Sequence, residues 1–356
     1  MIPSKKINIR GFGKEMSGKV LITARAFWKF GGEGETLLGK NNFEVIRASK
    51  AGPYSAAELI PLLQGYTAII GSTDEYSREL MLACPDLKVI SRWGVGFDSI
   101  DLLAASELGV IASTTPGAMT DTVADYTFAL LLGIARKITE SDRTIRSGGW
   151  SEATGVLVCR KSLGLVGFGA IAQGVAKRAT GFEMNVFATD PYVSESARKA
   201  FPQVSFVSLD SLLEMSDFVS VHSAATLETR GMFDSLRFAQ MKSSAYFINT
   251  SRGSLVDEVA LVEALETGKI AGAAIDVYAK EPPLPNAPIR FAPNTLLTTH
   301  NAFNTVEASH ATSLQAAQNV IDLLNGVHLE AVRNPAVWES PKLRTSKQTG
   351  HSDERE

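Results

Sequence analysis

The sequence predicts an α/β protein with two doubly wound parallel sheets, and three observations carry that reading. Short β-branched runs alternate with amphipathic stretches at helical spacing along most of the chain. A nearly all-apolar helical stretch at 121–137 separates two such series. The length, 356 residues, is as a prior that of two domains.

The first series places strands at 20–23, 43–47, 67–71, 89–93 and 110–112. Between them lie helices such as 55–63, where Ser55 and Glu58 have the spacing of a capping box. The helix at 121–137 is apolar almost all round and is therefore expected to be buried. A second series follows, with strands at 163–166, 186–189, 218–222, 246–249, 273–276 and 296–298. Strand–helix alternation implies parallel pairing through right-handed crossovers. A last helix at 306–324 comes after the second sheet closes and is expected to return to the first domain. The expected division is 17–114 with 304–337, then 115–303, with flexible ends at 1–16 and 338–356.

Composition narrows the class. Hydrophobic residues make up 45% and charged residues 21%, so a chain of this length can build its own core without metal or disulfide. A net charge of −3 leaves no electrostatic footprint for nucleic acid or anionic lipid. The cysteines, Cys84 and Cys159, cannot form a disulfide framework, which fits a reducing, cytoplasmic setting. The longest apolar run, 128–135, is too short to span a bilayer, and the first residues lack the apolar core of a signal peptide.

The strongest motif is LGLVGFGAIA at 163–172, a G-x-G-x-x-A entered from a strand and followed by a helical pattern. Gly167 permits the tight turn, Gly169 lets backbone approach a pyrophosphate, and Ala172 allows close helix–strand packing. The N–H groups at Ala170 and Ile171 then meet the phosphates at a positive helix end. Asp190 ends the next strand, 21 residues after Gly169. Its carboxylate can accept from ribose hydroxyls and repels a 2′-phosphate, while Pro191 and Tyr192 bring no compensating cation. NAD is therefore expected over NADP, within a Rossmann-type nucleotide domain; a plain strand-end turn is the other reading of Asp190.

Three later segments end strands of the second sheet: NTSRGSLVD at 249–257, DVYAKEP at 276–282 and LTTHNA at 297–302. Ligands of open α/β sheets bind beyond the carboxyl ends of strands, so Arg252, Glu281 and His300 can converge. A guanidinium holds a planar carboxylate through two bonds and polarises the adjacent carbonyl. An imidazole delivers a proton to the carbonyl oxygen, and a carboxylate beside it fixes its tautomer. Taken one at a time, such residues are ordinary surface charges and turns; their joint occurrence carries the reading.

With RWGVGFDSIDLLAA, TTPGAMTDTVADYTFALLLG, GLVGFGAIAQGVAKR, NTSRGSLVDEVAL, GAAIDVYAKEP and TTHNAF in this order, the chain resembles the D-isomer-specific 2-hydroxy acid dehydrogenases. That family includes phosphoglycerate, glycerate and hydroxypyruvate enzymes. The resemblance spans about residues 20–335 and implies a flavodoxin-like substrate domain beside the nucleotide domain, with a cleft between. It implies interconversion of a small D-2-hydroxy acid and its 2-oxo acid. In these terms Arg252 grips the substrate, His300 is the acid/base and Glu281 orients it. The backbone at Val95 and Gly96 would bind the far carboxylate oxygen, with Arg252 and His300 completing the substrate contacts. Cofactor contacts are expected at Gly167, Gly169, Ala170, Ile171, Asp190, His222, Thr250, Ser251, Arg252, Asp276 and His300, with Asp276 beside the nicotinamide amide. His222 could equally be a buried structural residue. No metal is expected. A homodimer through the 121–137 helix is implied, a core helix being the alternative.

Some features depart from the family pattern. Residues 223–226 read Ser-Ala-Ala-Thr, and Thr298-Thr299 precede His300 where Thr-Pro is common. The 71–75 segment carries Asp74 and Glu75 and no cation, which is expected to disfavour a phosphorylated substrate. With no regulatory domain after the last helix, feedback by a bound amino acid is not expected. The rival readings are an NAD-sensing corepressor-like binding protein and a phosphite or formate dehydrogenase relative; Glu281 argues against the formate branch.

Overall fold

The computed structural model describes residues 17–345; the flexible ends expected at 1–16 and beyond 345 lie outside the described residues. The chain divides into two compact units. Unit 1 takes the residues through Met119 and those from Asn304 on, and unit 2 is Thr120–Phe303.

Unit 1 holds β1 (Gly18–Ile22), β2 (Phe43–Arg47), β3 (Ala68–Gly71), β4 (Val89–Arg92) and β5 (Ile111–Ser113). All pair in parallel, in the order β2-β1-β3-β4-β5, the flavodoxin-like order. The residues of β3 and β4 are buried throughout, as expected for a parallel sheet covered on both faces. The helix Ala56–Leu62 starts with the Ser55–Glu58 capping box that the sequence implied.

The last helix, Val306–Leu324, belongs to unit 1 and is pinned to its sheet by side chains. Ser91 Oγ donates to Ala316 O at 2.9 Å, and Trp93 Nε1 donates to Ser313 Oγ at 2.9 Å. The returning chain then covers the β5 edge. Asn334 Oδ1 accepts from Ala112 N and its Nδ2 donates to Val110 O, both at 2.9 Å, so a side-chain amide does the work of a neighbouring strand. Residues 339–345, read from sequence as part of a flexible tail, are instead anchored here. Arg344 donates to the carbonyls of Met81, Cys84, Leu87 and Leu108 at 2.8–3.0 Å. A polar run with no apolar period hides such an anchor, because its partners are backbone carbonyls.

The 71–75 segment also departs from expectation. Asp74 is fully buried and accepts from Thr23 Oγ1 at 2.6 Å and Tyr54 N at 2.8 Å. Glu75 accepts from Ala56 N at 3.0 Å, at the start of the next helix. Asp74 is thus internal framework and exposed Glu75 caps a helix start, so the pair carries no argument against a phosphorylated substrate.

Unit 2 holds β6 (Ser162–Val166), β7 (Asn185–Thr189), β8 (Val204–Phe206), β9 (Phe218–Val221), β10 (Tyr246–Asn249), β11 (Gly272–Ile275) and β12 (Thr295–Leu297). The order is β12-β11-β10-β9-β6-β7-β8, again all parallel. Strand order reverses between β6 and β9, the switch point at which doubly wound sheets open for a ligand. The helix Thr120–Ala135 buries most of its residues against the sheet and the helix Ala170–Thr180, with Arg178 Nε on Asp125 at 2.6 Å. The helix Ile138–Arg146, which the periodicity did not reveal, has no buried residue.

Candidate active site

The nucleotide side of the site lies in unit 2 where β6 meets its helix. Gly167 has φ of 89°, and a Cβ there would sit 2.7 Å from Ser223 N and 2.8 Å from His222 C, so no other residue fits. At Gly169 a Cβ would meet nothing within 4 Å, leaving open space above the backbone. The helix that starts at Ala170 has no side-chain cap on its first turn, which leaves an anion-receptive end. Asp190 ends β7 and accepts from Phe168 N and Tyr192 N, both at 2.8 Å, so the acid is tied to the glycine turn. Beside it opens a cavity of about 380 Å³ lined by residues that include Asp190, Pro191, Arg198, Phe206 and Ser208. These features fit a dinucleotide: a bare glycine cradle, an uncapped helix end and a chamber of adenosine size beside a carboxylate.

Arg198 is the residue that sequence reasoning missed here. Its guanidinium lies 4.2 Å from the centroid of Phe206, which seats a cation on the cavity wall. Positions 191 and 192, next to Asp190 in the sequence, are Pro and Tyr and carry no cation. Arg198 reaches the cavity from a separate helix, Glu195–Ala200.

His222 follows β9, with Nε2 at 2.9 Å from Ser220 Oγ. Burial pushes its imidazole down to about 4, so the ring is neutral around neutral pH. Thr250 and Ser251 have their hydroxyls engaged within the unit. Thr250 Oγ1 lies 3.2 Å from Thr127 Oγ1, and Ser251 Oγ donates to Ser223 O at 2.5 Å.

On the same carboxyl edge of the sheet, Arg252, Glu281 and His300 follow β10, β11 and β12. Asn249 shapes the first turn, its Nδ2 donating to Arg252 O at 2.9 Å and its Oδ1 accepting from Ser251 N at 3.0 Å. His300 Nδ1 and Glu281 Oε2 are 2.6 Å apart, with the two side chains 27% and 37% exposed, open enough to trade a proton with a bound acid. Desolvation pushes the Glu281 carboxyl up. The hydrogen bond and charge of His300, the Tyr278 N–H and the Arg252 charge outweigh that and hold it below the usual carboxylate value. An ionised Glu281 accepts from Nδ1–H, which leaves Nε2 as the ring atom available for proton transfer.

Asp276, expected beside a nicotinamide amide, has no exposed surface. Its Oδ1 accepts from Thr298 Oγ1 at 2.6 Å and Asn301 N at 2.8 Å, and its Oδ2 from Ala302 N at 2.9 Å. In the structure it holds the loop that carries His300, itself in a left-handed conformation with φ of 51°. Val95 and Gly96 lie in unit 1, half-buried in the turn after β4. Among the described residues no cluster of three or more His, Cys, Asp or Glu could hold a metal ion, and no helix is long and apolar enough to cross a membrane.

A model of the D-isomer specific 2-hydroxyacid dehydrogenase NAD binding domain matches residues 128–302. A glyoxylate reductase of Thermofilum pendens is 40% identical over 310 residues, covering 85% of this chain and 91% of that protein. The chain belongs to the D-isomer specific 2-hydroxyacid dehydrogenase family. Its cofactor is NAD, and it is an NAD-dependent 2-hydroxyacid dehydrogenase. A D-3-phosphoglycerate dehydrogenase of Archaeoglobus fulgidus is 38% identical over 305 residues, 85% of this dehydrogenase but 57% of that protein. Among solved structures, the TT0316 protein from Thermus thermophilus superposes with a TM-score of 0.80 at 34% identity, covering 88% of this dehydrogenase and 99% of that chain.

Proposed function

We propose that this dehydrogenase interconverts a small, unphosphorylated 2-oxo acid such as glyoxylate and its 2-hydroxy acid, with Arg252, Glu281 and His300 as its catalytic residues. The observation that carries the reading is the 2.6 Å pairing of His300 Nδ1 with Glu281 Oε2. The glyoxylate reductase similarity, which spans nearly that whole relative, supports the choice of substrate class.

Arg252 binds the carboxylate and polarises the adjacent carbonyl. His300, protonated, gives its Nε2 proton to the carbonyl oxygen as the carbonyl becomes an alcohol, and takes it back in the reverse direction. Glu281 stabilises the imidazolium and keeps Nδ1 protonated. When bound, NADH would supply the hydride for the carbonyl carbon, and NAD would accept it in the reverse direction. Gly167, Gly169, Ala170 and Ile171 would hold the pyrophosphate, Asp190 the adenosine ribose, and His222, Thr250, Ser251 and Asp276 the wall behind the nicotinamide. Unit 2 would thus be the NAD-binding domain, and unit 1 the substrate domain through the backbone at Val95 and Gly96. A homodimer belongs to the same proposal. It is supported by exposed apolar side chains after the helix Thr120–Ala135, among them Ile138 and Ile145 at 56%, Leu157 at 66% and Trp150 at 90% exposure.

The test is a panel of 2-oxo acids with NADH: glyoxylate, pyruvate, hydroxypyruvate and its phosphate. Preference for glyoxylate or hydroxypyruvate is expected; a preference for the phosphate ester would overturn the substrate assignment. Sedimentation of the purified protein reads the dimer.

A further inference from the structure

Three loops must hold their side chains to within a fraction of an ångström, and loops of unlike sequence do not do so unaided. One residue touches all three. Tyr278 N donates to Glu281 Oε1 at 3.1 Å, beside the oxygen that meets His300. Its phenol donates to Thr298 O at 2.6 Å, in the loop that carries His300. At Gly253, next to Arg252, a Cβ would fall 1.9 Å from the Tyr278 carbonyl carbon, so the arginine turn rests directly on the Tyr278 backbone. Tyr278 is only 9% exposed, and the neighbouring Ala279 N is fixed to Glu258 Oε2 at 3.2 Å.

We propose that Tyr278 is a positioning residue for the reaction, a clamp whose backbone N–H sets Glu281 and whose hydroxyl sets the His300 loop against it. Burial pushes its phenol up to about 12, so the hydroxyl stays a donor wherever the enzyme works. The clamp acts only through Glu281 and His300, and the inference rests on their proposed role.

The experiment compares Tyr278→Phe, Glu281→Gln and the double variant in 2-oxo acid reduction across pH, with NADH affinity read by fluorescence. Tyr278→Phe keeps the ring and removes one donor. It is expected to lower kcat about tenfold with little change in KM. Its alkaline limb should move to lower pH, as in Glu281→Gln, and the double variant should be no slower than Glu281→Gln alone. NADH affinity should be unchanged; if the Phe form does not bind NADH, Tyr278→Met carries the same comparison. A wild-type rate and pH profile in Tyr278→Phe, alongside a shifted profile in Glu281→Gln, overturns the clamp and leaves the dyad standing. Fully multiplicative losses in the double variant also overturn it. A wild-type profile in Glu281→Gln overturns the dyad and the clamp with it.

Discussion

Glu281 and His300, on separate loops after β11 and β12, meet at 2.6 Å through Oε2 and Nδ1. The carboxyl is held below its usual value, so it is ionised across the working range. Glu281→Gln keeps the shape and removes the charge. Reduction of the 2-oxo acid is expected to fall roughly a hundredfold at alkaline pH and less at acidic pH. Initial rates between acid and alkaline pH check this; a uniform loss at every pH would argue for a packing role only.

In the proposed mechanism, Arg252→Ala removes two charge-assisted hydrogen bonds to the substrate. A loss of about 3 kcal/mol, roughly a hundredfold in kcat/KM, is expected, most of it in KM. Arg252→Lys should recover little, because an ammonium cannot form the two-pronged contact. An unchanged KM in the Ala form would take Arg252 out of the substrate site.

Asp190 and Arg198 line the same cavity with opposite charges. Asp190→Ala removes the repulsion of a 2′-phosphate, so the NADH-to-NADPH efficiency ratio should drop about 10- to 100-fold. Arg198→Ala should move that ratio the other way by a smaller factor. Ratios unchanged from the unmutated enzyme in both variants would mean that neither side chain reads the ribose.

His222 bears on stability. Its folded value of about 4 lies below the ordinary 6.5, so the unfolded chain takes up the proton first as pH falls. The neutral, half-buried ring costs nothing above pH 6.5, and stability drains between 6.5 and 4, by at most about 3 kcal/mol. His222→Gln should flatten that acid slope in Tm, measured without cofactor; a slope equal to that of the unmutated protein would show that other groups set it.

Much of this was legible in the residues. Central strands are buried on both faces and read as short apolar runs, which is how β3, β4 and β9 were expected. The edge strand β8 was not, since Val204-Ser-Phe206 is brief and only partly buried. Glu281 and His300 stood out because chemistry-bearing types at strand ends are few. Tyr278 did not, as an aromatic inside an apolar segment reads as core; its hydroxyl bond to Thr298 O depends on a fold around 20 residues of intervening chain. Asp74 was misread because a carboxylate near a loop looks solvated until its partners, Thr23 and Tyr54, are seen around it. Sequence offers no signal for such long-range closure.

The split of unit 1 across both ends of the chain bears on how the protein is made. On the ribosome, β1 to β5 emerge with the β5 edge bare, and its cover of Asn334 arrives only after the whole of unit 2. Unit 2 is contiguous and can collapse as soon as it is out. The first-made sheet is thus the last to be finished, and for that interval its exposed edge is where a newborn chain of this family member is open to wrong pairing.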